Sequence, residues 1–418
     1  MSARNPLTQS TPAAHVPLVL LAMVFLFPLV WLIASSLQPR EQVGKIPPEW
    51  LPRMHYLTLG DERIGVTPPE TITVGSVLVR PVGGPDEGKA VLAEAARFTD
   101  GKLTCKIQVA DRMVDRQFPA ELVQDVPAGY VYVRQWFVSK YQAETPREFY
   151  VPADSVTVRV EPVWGNYGEA IRALTAGEEH KKRSLGELLA KTRWPWTSRN
   201  AKGRTITFLT YLANSLTVAV LGVIGTILSS SLVAYGLSRI RWRGRETLFT
   251  IVLATMMIPF PVLMVPLYGL FRKLGWIGTL MPLWVPAWFG SAFNIFLLRQ
   301  FFRTIPEELS EAARIDGCSE FGIYWRIMLP LARPALAVVG LFHFLYAWND
   351  FLAPMIFLTE PDTFTMALGL QQYQSQHGGS EWHLLMGASV LLVVPIIILF
   401  FFAQKTFIQG ISTTGVKG

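Results

Sequence analysis

The sequence predicts an all-α polytopic membrane protein with six transmembrane helices and a small inserted β domain. Three observations lead there. Half of the residues are hydrophobic and only 17% are charged, which leaves enough apolar sequence for several spans beside a soluble module. Apolar runs of about 20 residues recur, each long enough at ~1.5 Å per residue to cross a ~30 Å hydrocarbon core. Between 53 and 163 that pattern stops, and short runs rich in β-branched and aromatic residues, separated by turn residues, replace it.

Residues 1–14 read as a short polar tail with Pro6 and Pro12. The first span covers 15–37, with Trp31 toward its end. A cleaved signal peptide is the rival reading, because Ala34, Ser35 and Ser36 are small; the run is too long and its basic flank too weak to favour it. In the insert, 71–80, 102–109, 130–138 and 155–160 are strand-like. Val156, Val158 and Val160 alternate with Thr157 and Arg159. The expectation is an antiparallel barrel or sandwich with one helix at 89–98. Gly83 to Lys89 matches most of a phosphate-binding loop, but Ala90 stands where the magnesium-binding hydroxyl belongs. A β-turn is expected there, and ATP chemistry on this chain is not.

Residues 164–204 form a linker in which Leu185, Leu188 and Leu189 have helical spacing, predicting an interfacial amphipathic helix with Trp194 and Trp196 at headgroup level. A transmembrane core follows over 205–403, with spans at 208–237, 248–268, 280–299, 334–358 and 383–403. Pro259, Pro261 and Pro266 predict a broken third span. Arg239, Arg241, Arg243 and Arg245 follow span two, and Arg299, Arg303, Arg314, Arg326 and Arg333 surround the loop after span four. The positive-inside rule makes both loops cytoplasmic. Residues 359–381 hold acids and neither lysine nor arginine, as an external loop should. Both tails, 1–14 and 404–418, then lie inside, and Arg272-Lys273 is the one short-loop exception.

The formal charge of +7 fits that pattern, so nucleic acid is not expected as a partner; membrane lipid is. Cys105 and Cys318 fall on opposite sides in this topology and suggest no disulfide; the six histidines have no ligand spacing and no metal is expected. No nucleophile, paired-carboxylate or metal motif has matching context, so the chain does not read as an enzyme.

One charged stretch, 304–330, interrupts the apolar pattern and reads as two short helices. Thr304 and Glu307 have capping-box spacing and Pro306 suits the first turn. Asp316-Gly317 ends that helix, glycine supplying a left-handed conformation; Ser319 can start a second that Pro330 ends. The pair Ala312-Ala313 leaves a low surface for close approach.

Glu311-Ala312-Ala313, Gly317, Ile327 and Leu329-Pro330 resemble the EAA loop of ABC-importer permease subunits. The run 313–317 (Ala-Arg-Ile-Asp-Gly), Trp348 to Phe351 and Gln404 to Ile408 are similar to the carbohydrate-importer branch, and most similar to the maltose-type second permease family. The resemblance covers 15–52 and 205–418 and leaves the insert aside. It implies a type I ABC permease fold in a bacterial or archaeal cytoplasmic membrane, carrying a sugar or related polar solute. It also implies three kinds of partner: a second permease subunit, two ATPase subunits that bind ATP and magnesium, and an external solute-binding protein. In the coupling loop, Glu311 would bond to an ATPase cleft, Ala312 and Ala313 would touch it closely, Gly317 would set the interhelix angle, and Asp316, Leu329 and Pro330 complete the motif. No cofactor falls on this chain.

Asn294, His343, Asn349 and Asp350 would be expensive facing lipid and should face protein or a watery path. Asp350 lies ~24 Å along the helix from Pro334, so Asn349 and Asp350 suit either a helix break before Pro354 or a solute path. Tyr346, Trp348, Trp284 and Trp288 suit sugar C–H faces or a membrane-interface belt. Two further classes stay open: a secondary transporter, and a membrane-anchored scaffold working through its β domain.

Overall fold

The structure is a computed structural model of the 418-residue chain. It describes residues 12–43, 45, 48–59, 62–72, 76–81, 91–94, 98–100, 102–109, 112–126, 129–136, 147–175, 185–195, 205–377 and 381–412. Two compact units divide it, Met1–Glu169 and Ala170–Gly418.

The first unit opens with helix α1 (Pro12–Ser36), which is long and apolar enough to cross a membrane and whose Leu20 and Phe25 are 58% and 75% exposed. Its strands are β1 (Arg53–Leu59), β2 (Glu62–Val66), β3 (Glu70–Thr71), β4 (Ser76–Pro81), β5 (Val91–Glu94), β6 (Phe98–Thr99), β7 (Lys102–Val109), β8 (Arg112–Val126), β9 (Tyr130–Arg134), β10 (Glu148–Pro152) and β11 (Val156–Val160). They form three antiparallel sheets ordered β11-β1-β2, β10-β9-β3 and β5-β4-β8-β7-β6, rather than one barrel. Leu57, Ile64, Val66, Val131 and Val133 form a common core of the first two sheets.

Two expectations fail here. Val91–Glu94 is an edge strand registered against β4, Val91 opposite Val79, and not part of a helix over 89–98. The long β8 went unread because charges and Pro119 mask its alternation. It can carry them because it changes partner midway: Arg112 to Pro119 pair with β7, and Ala120 to Val126 pair with β4. The phosphate-loop-like stretch 83–90 lies outside the described residues.

The insert closes on its own ends. Arg53 is registered with Val160, Glu161 N donates to Pro52 O at 3.1 Å, and Val163 N donates to Leu37 O at 2.9 Å. Asn166, 3% exposed, donates through Nδ2 to Ser36 O and Gln38 O, both at 2.8 Å. Orphan carbonyls at the end of α1 are thereby satisfied by the chain that returns from the insert.

Helix α2 (Gly165–Ala173) leads into the second unit and α3 (Leu185–Ala190) follows. Leu188 is fully buried while Gly186, Glu187 and Ala190 are exposed, so one face of α3 packs against the protein. Thr192 explains this: it is buried, and its Oγ1 lies 3.0 Å from both Leu188 O and Thr207 Oγ1, tying the segment to the start of the next helix.

That helix, α4 (Phe208–Ser238), is the axis of the unit. Its Gly222 and Gly225 leave room for the rings of His343 and Trp288. Then come α5 (Arg245–Thr255) and α6 (Phe260–Lys273), bent by 96° where Pro259 caps α6, as the prolines predicted. Helix α7 (Met281–Trp284), a 3-10 turn (Val285–Phe289) and α8 (Ala292–Thr304) make the next crossing. The charged hairpin is α9 (Glu308–Ile315) and α10 (Glu320–Ile323), continued by a π-turn (Tyr324–Met328) and α11 (Leu329–Leu331). The chain closes with α12 (Arg333–Asn349), α13 (Leu352–Phe357), α14 (Met366–His377) and α15 (Trp382–Ser412). Helix α14 occupies the loop expected at 359–381, and α15 runs on through 404–412, where a tail was expected. Four helices are long and apolar enough to cross a membrane; the count rises to six if each of two bent pairs is one span.

Candidate functional site

The hairpin departs from its expected capping in one place and keeps it in two. Thr304 belongs to the last turn of α8 and donates to Phe301 O at 2.8 Å, because Ile305 is extended and breaks the chain there; the next helix starts at Glu308, not Pro306. Gly317 has φ +77°, and the amides of Gly317 and Cys318 donate back to Arg314 O and Ala313 O at 3.0 and 2.9 Å. Ser319 caps α10, accepting from Gly322 N at 3.2 Å. Pro330 does not stop the second arm. It lies inside α11, and the 78° bend falls after it, at Ala332.

Sidedness of the hairpin is clear from exposure. Glu311, Ala312, Asp316, Gly317 and Pro330 are exposed, Leu329 is half-buried, and Ile315, Phe321 and Trp325 stand 87%, 66% and 54% exposed. Phe321 and Trp325 stack with centroids 6.3 Å apart. Ala313 faces the other way. It is buried in a core with Phe302, Ile323, Tyr324 and Met328, so of the small pair only Ala312 lies on the open face.

The inner face is clamped to the bundle. Tyr235, 3% exposed near the end of α4, donates to Glu320 at 2.6 Å, and Arg314 holds the other oxygen of that carboxylate at 2.7 Å. Arg314 thereby keeps Glu320 below the usual carboxylate range, with Tyr235 adding to it. Ser231 and Tyr324 share a buried hydroxyl contact at 2.8 Å. Arg239 donates to Phe302 O and Ile305 O, joining α4 to the strand-like link before α9. Arg299, 3% exposed, bonds both oxygens of Glu246 at 2.7 Å, donates to Leu237 O at 3.1 Å and lies 3.9 Å over the Phe249 ring. Sequence reasoning had used Arg239 and Arg299 only as topology markers and had missed Tyr235 and Glu320. A tyrosine in an apolar run was the one available signal.

A second feature is a cavity of about 530 Å³ between α4, α6, α8, α12 and α13. Asn294, Tyr346 and Asp350 border it, as expected of a solute path, together with His343 and the rings of Phe293 and Phe342. Asn294 Oδ1 and His343 Nε2 are buried without a protein partner, and the His343 ring edge carrying Nε2 lies against Gly222 of α4. Asp350 also accepts from Ala353 N at 3.3 Å, capping α13 across the break. Trp348 and Asn349 do not border the cavity. Trp348 is 1% exposed, stacks on Phe344 and donates to Leu392 O at 3.1 Å, while Asn349 donates back to Leu345 O at 2.8 Å. Helical geometry turns Trp348 toward α15, while Asn349 is exposed and its amide bonds back along its own helix. Among the described residues no cluster of histidine, cysteine or carboxylates could hold a metal ion.

A family profile described as the binding-protein-dependent transport system inner membrane component matches residues 225–413. An arabinooligosaccharides transport system permease protein of Halalkalibacterium halodurans is 40% identical over 211 residues, 50% of this chain and 75% of its own. A trehalose/maltose transport system permease protein of Thermococcus litoralis is 35% identical, over 51% of this chain and 77% of its own. A solved bacterial ABC transporter involved in alginate import overlays 48% of this chain and 75% of its own at 29% identity, with a TM-score of 0.43. The chain belongs to the family of binding-protein-dependent transport system inner membrane components, the permease subunits of ABC importers.

Proposed function

We propose that this permease subunit carries a sugar or related polar solute across a bacterial or archaeal cytoplasmic membrane in six spans, both termini cytoplasmic and the β insert outside. It works with a second permease, an external solute-binding protein and two ATPases that hold ATP and magnesium. The single observation that carries the reading is the two-faced hairpin: an open face bearing Ala312, Ile315, Phe321 and Trp325, and an inner face bonded to α4 through Tyr235 and Glu320. Burying each of those large side chains against an ATPase cleft would contribute about 1.5–3 kcal/mol, and Glu311 and Asp316 would supply polar contacts at the rim. Closure of the ATPase pair then moves the hairpin, and the hairpin moves α4. Access to the cavity beside Asn294 and Asp350 alternates between the two sides as a result. The relatives named for arabinooligosaccharides and trehalose/maltose support the sugar assignment.

Trp325→Glu tests it. The variant should insert in the membrane like the parent, while copurification of the ATPase and ATP-driven uptake both fall. Undiminished copurification would remove the open face of the hairpin from the ATPase contact, and uptake by proteoliposomes that proceeds without ATP would falsify the reading in favour of a secondary carrier.

A further inference from the structure

At the end of α4 remote from the hairpin lies a second cavity of about 410 Å³ that no transport step above uses. Asn214 borders it, and Tyr235 at the hairpin is 21 residues further along the same helix, a rise of ~31 Å or one hydrocarbon thickness. The volume lies within the roughly 300–1,000 Å³ typical of small-molecule sites.

Its wall combines two kinds of group. Trp194 and Trp284 supply broad aromatic surfaces, and Arg193, Asp362, Asn214 and Thr217 supply polar ones. Arg193 and Asp362 pair at 2.8 Å with side chains 17% and 14% exposed, so the charges neutralise each other and the site favours no ion of either sign. The loop bearing Asp362 is fixed from below: Asn214 Nδ2 donates to Asp362 O and Phe364 O, both at 2.9 Å. Asn214 is itself 1% exposed, so its amide serves to hold that loop, and of these polar groups Arg193, Asp362 and Thr217 are left to face the cavity.

We infer that this cavity is a binding subsite for a neutral saccharide unit, separate from the cavity beside Asn294 and Asp350. A pyranose or furanose ring offers C–H faces to the tryptophans and hydroxyls that bridge the Arg193–Asp362 pair through the guanidinium donors that Asp362 leaves free. An acidic sugar gains little, because Asp362 already neutralises the guanidinium charge and lies beside any incoming carboxylate. The subsite rests on the importer reading for its sidedness: with the hairpin cytoplasmic, it faces the side from which solute arrives.

The test uses the full-length chain in lipid nanodiscs, with maltotriose, arabinotriose and trigalacturonate as probes and saturation-transfer NMR as readout. Binding of a neutral trisaccharide is expected to weaken about tenfold in Arg193→Met and in Trp284→Leu, the loss of one charged hydrogen bond or one aromatic face. Asn294→Ala, in the other cavity, should bind as the parent does, and trigalacturonate should give no transfer. Absence of neutral-sugar binding overturns the inference, as does binding lost in Asn294→Ala but kept in Arg193→Met, or equal binding of trigalacturonate. ATP-driven uptake of the reconstituted importer is measured alongside. Uptake that persists while the nanodisc chain binds no sugar sinks the subsite and leaves the importer reading standing.

Discussion

Replacing Gly317 separates the angle of the coupling hairpin from its packing. An added Cβ there would meet no heavy atom within 4 Å, and φ is +77°, so any effect of substitution comes from the backbone alone. Alanine at a left-handed position costs about 1–2 kcal/mol, asparagine less because its side chain tolerates that region, and valine more because it is β-branched. Against a domain stability on the order of 5–15 kcal/mol, such a loss leaves the bundle folded. Local relief is available instead: the turn can re-form with negative φ by giving up the bonds from Gly317 N and Cys318 N, which swings α10 away from α9. A cost of ~1.4 kcal/mol lowers the population with the native angle about tenfold. Membrane insertion, ATPase copurification and ATP-driven uptake are measured for the series. Insertion should stay constant while copurification and uptake fall from Asn to Ala to Val. Gly317→Asp adds a second carboxylate beside Asp316 on the open face and should abolish uptake with the chain still inserted. Normal uptake in Gly317→Asp, or valine performing like asparagine, would refute the hinge assignment.

Tyr235→Phe removes the hydroxyl that joins α4 to Glu320; because the Glu320 side chain is 43% exposed, the loss is discounted to about 1 kcal/mol. ATPase docking should survive while uptake per ATP hydrolysed falls, and an unchanged ratio counts against the link. Acid should act in the same direction: Glu320 is held below its unfolded pKa of about 4.3, so its contribution is complete above that value and disappears as pH falls through the folded one. A pH titration of hairpin accessibility by cysteine labelling at Ile315 reads this, and a loss already complete at neutral pH contradicts it. In the core, Gly225→Ala brings a methyl to 2.3 Å from Trp288 Cδ1 and should destabilise the detergent-solubilised chain by about 1–3 kcal/mol; an unshifted thermal midpoint would show that α4 and the 3-10 turn separate freely. Excising 54–159 and joining Arg53 to Val160, whose Cα atoms lie roughly 4.5–5.5 Å apart as an antiparallel pair, should leave insertion intact and impair uptake. Unimpaired uptake would make the insert decorative.

Local chemistry was legible wherever one residue type has few uses. Pro259 before a bend, Gly317 with positive φ and Ser319 as a cap are each the cheapest residue for their geometry, so the sequence names the geometry. Long apolar helices were legible because lipid leaves them as the available choice. The β insert was read only where strands are apolar: β8 carries its charges on a strand split between two partners, and only pairing reveals it. Thr304 misled because its capping box competes with the continuation of α8, and Ile305 decided that competition. Ala313, Trp348 and Asn349 misled for another reason. A motif gives identity but not azimuth, and which face of a helix turns inward depends on neighbours far away in the chain, here Tyr324, Phe344 and Leu392.

The same clamp that hid from the sequence explains how a push on the hairpin can be felt a membrane thickness away. Helix α4 is continuous over 31 residues and contains no proline, and its two ends carry Asn214 and the Tyr235–Arg239 contacts. Its neighbours are interrupted: α5 and α6 bend by 96°, the hairpin meets α12 at 78°, and α12 breaks from α13 at Asp350. A continuous helix transmits displacement because every internal carbonyl is bonded within it, whereas a break concentrates rotation in a few φ/ψ angles. The hairpin is bonded to the rigid element and separated by a bend from α12. On the proposed coupling, displacement of α9 and α10 would carry α4 as a body, and the breaks at Pro259, Ala332 and Asp350 would take up the difference. Asp350 stands at one of those breaks and on the wall of the central cavity, so the residue that caps α13 also lines the space whose shape would then change.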